Sequence, residues 1–239
     1  MALKTNLIEY FDGSTCLEGY FAYDDSRSNP APSVLISHAW GGRDEFVCEK
    51  ARKLVDLGYA ALALDMYGKG ILGKSTEENT KLMQTFMEDR SLLQNRMRLA
   101  LQTLKDQPQV DENQIAAMGF CFGGLCVLDL ARIGEELKSV ISFHGLFIPP
   151  KNIQGNRIKA KVLALHGYND PMVPIDSVVA LQEELTKAGA DWQVHSYGNT
   201  LHAFTNPQAN DPNFGTVYSA SADRRSWQTM QNFLKETLS

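Results

Sequence analysis

A cysteine in a glycine-rich turn is the first residue of this sequence with evident chemical potential. Cys121 lies in the run Gly119-Phe120-Cys121-Phe122-Gly123-Gly124, between a strand predicted over 114–118 and a helical run from Leu125 to Ile133. Strand, sharp turn and helix in this order are typical of a nucleophile elbow. Glycines are expected on both sides of the cysteine because the strand and the helix approach each other closely there.

The predicted elbow places the sulfur of Cys121 at a helix N-terminus. Backbone N–H groups and the helix dipole favour negative charge at that position, so we expect the thiol pKa to fall below its usual value of about 8.5. A thiolate is already a competent nucleophile, so it depends less than a serine hydroxyl group on deprotonation by a general base. By itself, the motif is equally compatible with a buried cysteine in a structural turn.

Two later loops supply the groups that a nucleophile needs. Asp170 lies in the loop after the apolar strand Lys161–His166, although Asn169-Asp170-Pro171 alone also fits an ordinary turn. His202 lies in the loop Gly198–Phe204, after the strand ending near Ser196. The chain order of nucleophile, acid and histidine is the one that α/β hydrolases use. The order therefore predicts a triad in which His202 is the base and Asp170 orients it.

Such a triad needs two N–H donors for the oxyanion that forms during attack. One is expected from the residue after the nucleophile, Phe122. The other is expected from Trp40, in the loop His38-Ala39-Trp40-Gly41-Gly42 that follows an early strand. The remaining histidines, at positions 38, 144, 166 and 195, are expected to be hydrogen-bonded sheet-edge or core residues, although His38 and His144 could face the site. No histidine pair has metal-binding spacing, so neither a metal nor another cofactor is predicted.

The elements that position these loops alternate between short apolar strands and helical stretches, which is typical of a mostly parallel sheet with crossover helices. An antiparallel hairpin of the apolar runs Leu7–Tyr10 and Leu17–Tyr23 is predicted around Asp12-Gly13. The predicted fold is an α/β-hydrolase fold with a twisted sheet, helices on both faces and one domain over residues 1–239. The predicted strands after the hairpin are Ser33–Ser37, Tyr59–Leu64, Gln114–Gly119, Ser139–Phe143, Lys161–His166 and Trp192–Ser196.

Three helices carry clear boundary signals. Asp44 is expected to cap a helix that Gly58 ends. A second helix reaches about Lys105 and has an apolar face from Leu93 to Leu104, and a third covers roughly Ser221 to Thr237. The least regular segments, Met66–Lys74, Gly145–Asn156 and Tyr197–Gly215, each follow a predicted strand. Because ligands of parallel sheets bind at the carboxyl ends of strands, these segments are where a site is expected.

The composition and charge of the chain bear on whether it binds nucleic acid or a membrane. The 239 residues carry a net charge of −5, and their 23 Lys and Arg residues form no run that could bind several phosphates, so nucleic acid is excluded as a partner. No segment approaches the roughly 18 apolar residues of a membrane span, and the N-terminus lacks a signal-peptide pattern. We expect a cytoplasmic enzyme acting on a small molecule; the sequence gives no oligomeric state.

These motifs resemble those of the dienelactone hydrolase family, and the similarity extends over nearly the whole chain. The matching segments are Gly119–Gly124, Asp170–Pro174 and, less strictly, Asn199–Phe204. The resemblance implies hydrolysis of small esters or lactones through a covalent thio-enzyme intermediate. It also implies that phosphotriesters could be substrates, since some relatives of this kind hydrolyse them.

Two differences from the enzyme that gives the family its name point away from dienelactones. Its activating glutamate is matched here by Ala39, so that role would fall to His202 and the helix terminus unless Glu45 reaches the site. Of its two carboxylate-binding arginines, one is matched by Asn206 and the other is missing between Arg52 and Arg90. A neutral substrate is therefore expected, in a pocket for which we predict the residues Trp40, Met83, Phe86, Phe122, Phe147 and Phe204.

Two alternatives differ in kind. A hydrolase-fold protein without enzymatic activity could bind a ligand or sense oxidants through Cys121, but it would not need all three triad residues. A serine esterase is disfavoured because no Gly-x-Ser-x-Gly motif occurs.

Overall fold

The computed structural model describes residues 1–153 and 155–238, which form a mostly parallel eight-stranded sheet with helices and an N-terminal hairpin. Gln154, in the predicted irregular segment Gly145–Asn156, and Ser239, at the end of the predicted domain, lie outside the described residues. The chain groups into two compact units, Met1–Met118 and Gly119–Ser239. A single domain over the whole chain stays a prediction.

The first unit begins with the predicted hairpin. Strands β1 (Leu3–Asp12) and β2 (Thr15–Asp24) pair antiparallel through a tight turn in which Gly13 has a φ of 58°. β2 then pairs antiparallel with β4 (Ala60–Ala63), which pairs parallel with β3 (Ala31–Ser37). β5 (Val110–Phe120) follows β3 in the sheet order. The buried β3 and β4 are the parallel core strands that their apolar runs predict.

Helices of the first unit begin and end largely at the predicted signals. Helix α1 (Glu45–Asp56) is capped by the Asp44 side chain, which accepts the Val47 N–H, and Gly58 follows its end with a φ of 93°. Helix α3 (Arg90–Lys105) buries the predicted apolar face from Leu93 to Leu104. Helix α2 (Thr76–Glu88) is one that the apolar pattern did not delineate, because Phe86 is its single fully buried residue.

The second unit is built on three parallel strands. β6 (Ser139–Phe143), β7 (Lys161–Gly167) and β8 (Trp192–Tyr197) pair in that order, and the central residues of β6 and β7 are fully buried. The flanking helices are α4 (Phe122–Arg132), α5 (Ile175–Lys187) and α6 (Ala220–Thr237).

The segment Tyr197–Gly215, predicted to be irregular, contains part of a small antiparallel ladder. Its strands are β9 (Asn210–Asp211) and β10 (Thr216–Val217). The backbone of His202 joins this ladder, since its N–H donates to Gly215 O at 3.0 Å and its carbonyl accepts the Val217 N–H at 3.1 Å. The loop that carries the predicted base is therefore held by regular hydrogen bonds.

Candidate active site

Cys121 lies at the junction of β5 and α4, in the strained turn that the sequence predicts. Its φ of 55° and ψ of −116° are rarely adopted by a residue with a side chain. A Cβ added to Gly119 would lie 2.0 Å from the carbonyl oxygen of Gly123. The steric reason inferred for a glycine beside Cys121 is thus confirmed. The N–H of Cys121 donates to Phe143 O, at the end of β6, over 3.0 Å.

The side chain of Cys121 is partly exposed, whereas Cys126, on the same helix, is fully buried. Cys121 occupies the N-cap position of α4, and Phe122 is the first helical residue. The sulfur therefore lies beside the positive end of the helix dipole. An accessible sulfur at this position can act as a nucleophile toward an electrophile that enters from solvent.

Asp170 lies in the turn after β7, with its side chain buried. Its Oδ1 accepts the Met172 N–H at 2.8 Å, and its Oδ2 lies 2.6 Å from Nδ1 of His202. Both carboxylate oxygens are thus engaged, and the turn fixes the direction of the second. The arrangement holds Nδ1–H of the imidazole against Asp170 and leaves Nε2 as the nitrogen that can exchange protons.

The loops of Asp170 and His202 approach each other at Gly167, the last residue of β7. A Cβ on this glycine would lie 2.7 Å from the carbonyl oxygens of both Thr200 and Leu201. The Asn169 N–H donates to the carbonyl of Thr200 at 2.9 Å and ties the loops together. The absence of a side chain at Gly167 therefore lets Asp170 and His202 meet.

The pKa of His202 is raised to about 10. Burial opposes this shift by disfavouring the charged ring, but the negative charge of the Cys121 sulfur and the hydrogen bond with Asp170 outweigh it. Nε2 makes no hydrogen bond among the described residues. The Cys121 sulfur acts on the pKa of the ring mainly through its charge. Catalytic hydrogen bonds often tighten only when substrate binds.

A fourth side chain adjoins the predicted triad. His144 follows β6 with a φ of 37°, and its ring contacts that of His202 edge-on, with centroids 5.2 Å apart. Its Nε2 lies 2.8 Å from the hydroxyl oxygen of the buried Thr205. The sequence placed His144 after a strand, where it could face the site, but it did not predict the contact with His202 and did not single out Thr205.

The predicted oxyanion and pocket residues divide between the two units. In the first unit, Trp40 and Met83 are partly exposed, and the Trp40 carbonyl accepts the Tyr67 hydroxyl hydrogen. Phe86 is buried there against Tyr67. In the second unit, Phe122, Phe147 and Phe204 are buried. Contact of these residues with a substrate stays a prediction.

The other histidines are largely structural, as expected. His38 is buried, with Nδ1 2.6 Å from Ala39 O and Nε2 accepting the Met66 N–H, and burial lowers its pKa. His195 is partly buried within β8. His166 is buried in β7, but among the described residues neither of its ring nitrogens has a hydrogen-bond partner, so it is a core histidine without the expected hydrogen bond. Burial lowers its pKa as well.

Glu45 does not have the environment of an activating carboxylate. Its side chain is 78% exposed and forms an ion pair with Arg52. Nor do the residues that the structure describes include any group of three His, Cys, Asp or Glu side chains placed to hold a metal ion.

Comparison with known proteins assigns the family. The model of the dienelactone hydrolase family matches residues 17–238. An uncharacterised protein of Caenorhabditis elegans is 38% identical over 147 residues, which are 60% of this chain and 93% of that protein. A protein of Aquifex aeolicus (strain VF5) named "Putative carboxymethylenebutenolidase" is 27% identical over 239 residues, covering 97% of this chain and 98% of its own.

A solved structure resembles the whole chain. The crystal structure of the dienelactone hydrolase-like promiscuous phosphotriesterase P91, from metagenomic libraries, has a TM-score of 0.95 and is 37% identical, with both chains fully covered. These relatives support an enzyme that hydrolyses ester bonds over a ligand binder without activity. The fold, the family model and the relatives agree, and the chain belongs to the dienelactone hydrolase family.

Proposed function

We propose that this enzyme hydrolyses small neutral esters or lactones through a triad of Cys121, His202 and Asp170. The observation that carries the proposal is the buried environment of His202, which contacts Asp170 and whose pKa responds to the charge of Cys121. Asp170 holds Nδ1 at 2.6 Å, and the charge of the Cys121 sulfur helps to raise the pKa of the ring. A charged imidazole beside a thiolate provides both a nucleophile and a proton for the leaving group.

In the proposed reaction, the Cys121 sulfur attacks the acyl carbon and the carbonyl electrons move to oxygen. N–H groups of Phe122 and Trp40 are the predicted donors for that oxyanion. Collapse of the intermediate breaks the bond to the alcohol, which takes its proton from His202 and leaves a thioester on Cys121. His202 then removes a proton from water, hydroxide attacks the thioester, and the acid is released as sulfur regains its electron pair.

Asn206 supports a neutral substrate. Its side-chain oxygen accepts the Gln208 N–H at 3.0 Å, so the side chain that replaces the family arginine is part of a local turn. An asparagine offers no charge to a substrate carboxylate, and an unpaired anion in a protein site is strongly disfavoured. We therefore expect carboxylate-bearing lactones to be poorer substrates than neutral esters.

Phosphotriesters are a second substrate class in this proposal. P91 is described as a promiscuous phosphotriesterase, and its structure matches this chain over its full length at 37% identity. A neutral phosphotriester with a good leaving group has an electrophilic phosphorus and a polarised oxygen. The same sulfur could therefore attack the phosphorus, and the same N–H donors could bind its oxygen. This scheme uses no metal for either the carbonyl or the phosphoryl group.

The deciding experiment compares wild type with Cys121→Ala on p-nitrophenyl esters, lactones with and without a carboxylate, and a p-nitrophenyl phosphotriester. We expect wild type to release a burst of p-nitrophenol. In Cys121→Ala, both the burst and the steady-state turnover should be lost. Mass spectrometry of acid-quenched wild type should show the acyl group on Cys121. Undiminished turnover by Cys121→Ala would overturn the proposal. Modification of Cys121 without turnover would indicate a sensor instead.

The cytoplasmic location stays a prediction.

A further inference from the structure

We propose that His144, clamped by Thr205, is a positioning residue that sets the placement of His202 relative to Cys121. The inference rests on the proposed function for its catalytic consequence. His144 is 2% exposed, so it is not placed to contact substrate. Its ring contacts that of His202, and the carbonyl of the residue before it, Phe143, accepts the Cys121 N–H.

The backbone at the end of β6 holds both Cys121 and His144. The carbonyl of Phe143 accepts the Cys121 N–H at 3.0 Å, and the next residue, His144, donates its own N–H to Leu165 O on β7 at 2.8 Å. Between these two hydrogen bonds His144 has a φ of 37°, which is costly for a residue with a Cβ. The strain turns the imidazole toward the histidine loop while the preceding carbonyl holds the nucleophile.

The side chain of His144 is fixed from several directions. Its Nε2 lies 2.8 Å from Thr205 Oγ1, and Thr205 is 1% exposed. Its ring also meets Phe204 edge-on, with centroids 5.1 Å apart and planes at 79°. On the strand side it contacts Phe120 at a centroid distance of 6.1 Å. A buried ring held by a hydrogen bond and two aromatic contacts has little freedom to turn.

The fixed ring in turn limits His202. Asp170 restrains His202 at Nδ1 alone, and a ring held by one hydrogen bond can still swing about that contact. The edge-on contact with His144, at 5.2 Å and 66°, restricts this swing. Thr205 is three residues after His202 on the same loop. The His144 side chain therefore contacts this loop at two points, the His202 ring and the Thr205 hydroxyl group. Loss of the hydrogen bond to Thr205 should therefore let His202 move away from the sulfur.

The main test removes the hydroxyl group without changing the shape of the residue, in Thr205→Val. Since small misplacements of catalytic groups reduce rates strongly, we expect kcat for a neutral p-nitrophenyl ester to fall about tenfold, with KM changed less than about twofold. Thr205→Ser keeps the hydroxyl and should restore most of kcat. His144→Phe keeps a ring but removes the hydrogen bond, and combining it with Thr205→Val should cost no more than either change alone.

A second readout needs no substrate. Alkylation of Cys121 by iodoacetamide, followed by peptide mass spectrometry, should change in rate in Thr205→Val, while alkylation of the partly exposed Cys16 should not. The matched control is Ser226→Ala, which removes a buried hydroxyl bonded to Asp223 O on α6. It should leave kcat and both alkylation rates near the wild-type values. Circular dichroism establishes that each variant is folded.

The outcomes separate this inference from the proposed function. Wild-type kcat in Thr205→Val, an effect on KM alone, or failure of Thr205→Ser to rescue would overturn the positioning role. If His144→Phe does not fold, the two Thr205 variants still decide. If Cys121→Ala retains turnover, the proposed function is wrong, and the alkylation rates then test the geometry independently.

Discussion

Oδ2 of Asp170 lies 2.6 Å from Nδ1 of His202, and neither residue is more than 3% exposed. A short hydrogen bond between a buried carboxylate and an imidazole selects the tautomer that carries its proton on Nδ1 and anchors that side of the ring. The pairing joins two loops that are 32 residues apart in the chain.

Asp170→Asn should lower kcat for a neutral ester by about 10²- to 10⁴-fold, because an amide can stabilise the wrong tautomer of His202 and cannot balance its charge. Steady-state kinetics with p-nitrophenyl acetate would measure this. Asp191→Asn, at an exposed position, is a control for loss of one carboxylate. A kcat within twofold of wild type would show that Asp170 does not orient the base.

His202 should stay protonated well above neutral pH, because its pKa is raised to about 10. Histidine side-chain NMR should show its titration in wild type near that pH. In Cys121→Ala the negative sulfur is gone, so the titration should move to lower pH. The same titration pH in both proteins would contradict the charge coupling between the two residues.

This titration also affects stability. The native pKa of His202 lies above the value of about 6.5 expected in the unfolded chain. The native state therefore binds the extra proton between these values, and its stabilisation, complete below about pH 6.5, is lost as the pH rises toward 10. Urea unfolding across this pH range should show that the free energy of unfolding depends less on pH in Cys121→Ala than in wild type.

Gly167→Ala should reduce both stability and activity. The new Cβ would lie 2.7 Å from two backbone oxygens, which cannot move without separating the Asp170 and His202 loops. We expect a loss of about 1–3 kcal/mol in the free energy of unfolding, and a lower kcat. Gly198→Ala is the matched control, since a Cβ there meets nothing within 4 Å. Equal effects of the two variants would argue against close loop packing.

Arg132 should be a major stabilising residue of the second unit. Its guanidinium is 1% exposed and bonds to Asp129, to both oxygens of Glu184 and to the Phe147 carbonyl. Arg132→Met leaves buried acceptors without this cation and should cost about 3–5 kcal/mol in urea unfolding.

The comparison for this variant is an exposed ion pair. Lys159 and Glu136 are 59% and 81% exposed, so Lys159→Met should cost less than about 1 kcal/mol. If both substitutions have the same effect on the unfolding midpoint, the Arg132 cluster does not stabilise the unit beyond a surface pair.

Asn206→Arg should improve recognition of carboxylate-bearing lactones. An arginine at this position could form a charge-assisted hydrogen bond to the substrate, and we expect KM to fall about tenfold. Asn206→Gln, which adds length but no charge, is the control. Unchanged KM for the anionic lactone in Asn206→Arg would remove the explanation offered for a neutral substrate.

Sequence reasoning anticipated the parts of the site that local chemistry dictates. The glycines around Cys121 predict a strained turn, and that turn is present with the expected crowding at Gly119. The loops of Asp170 and His202 follow buried strands, and parallel strands bring such loops to one edge. The contact of Asp170 with His202 is therefore the one expected from chain order.

What sequence reasoning missed depends on pairing and packing. The role inferred for His144 depends on the alignment of β6 with β7 and on a ring contact with a residue 58 positions away, which no local pattern encodes. Helix α2 buries one residue fully, so its apolar periodicity is weak. Strands β1 and β2 extend beyond their apolar runs because backbone pairing continues through exposed positions.

The positive φ of Cys121 has a genetic consequence. The strain comes from a Cβ in the left-handed region, and cysteine and serine present the same Cβ to the backbone, differing by a single atom beyond it. A one-base codon change exchanges the two residues. The scaffold would thus tolerate either residue in the turn, so selection could alter the proposed nucleophile, and with it the redox sensitivity of a lineage, without rebuilding the fold.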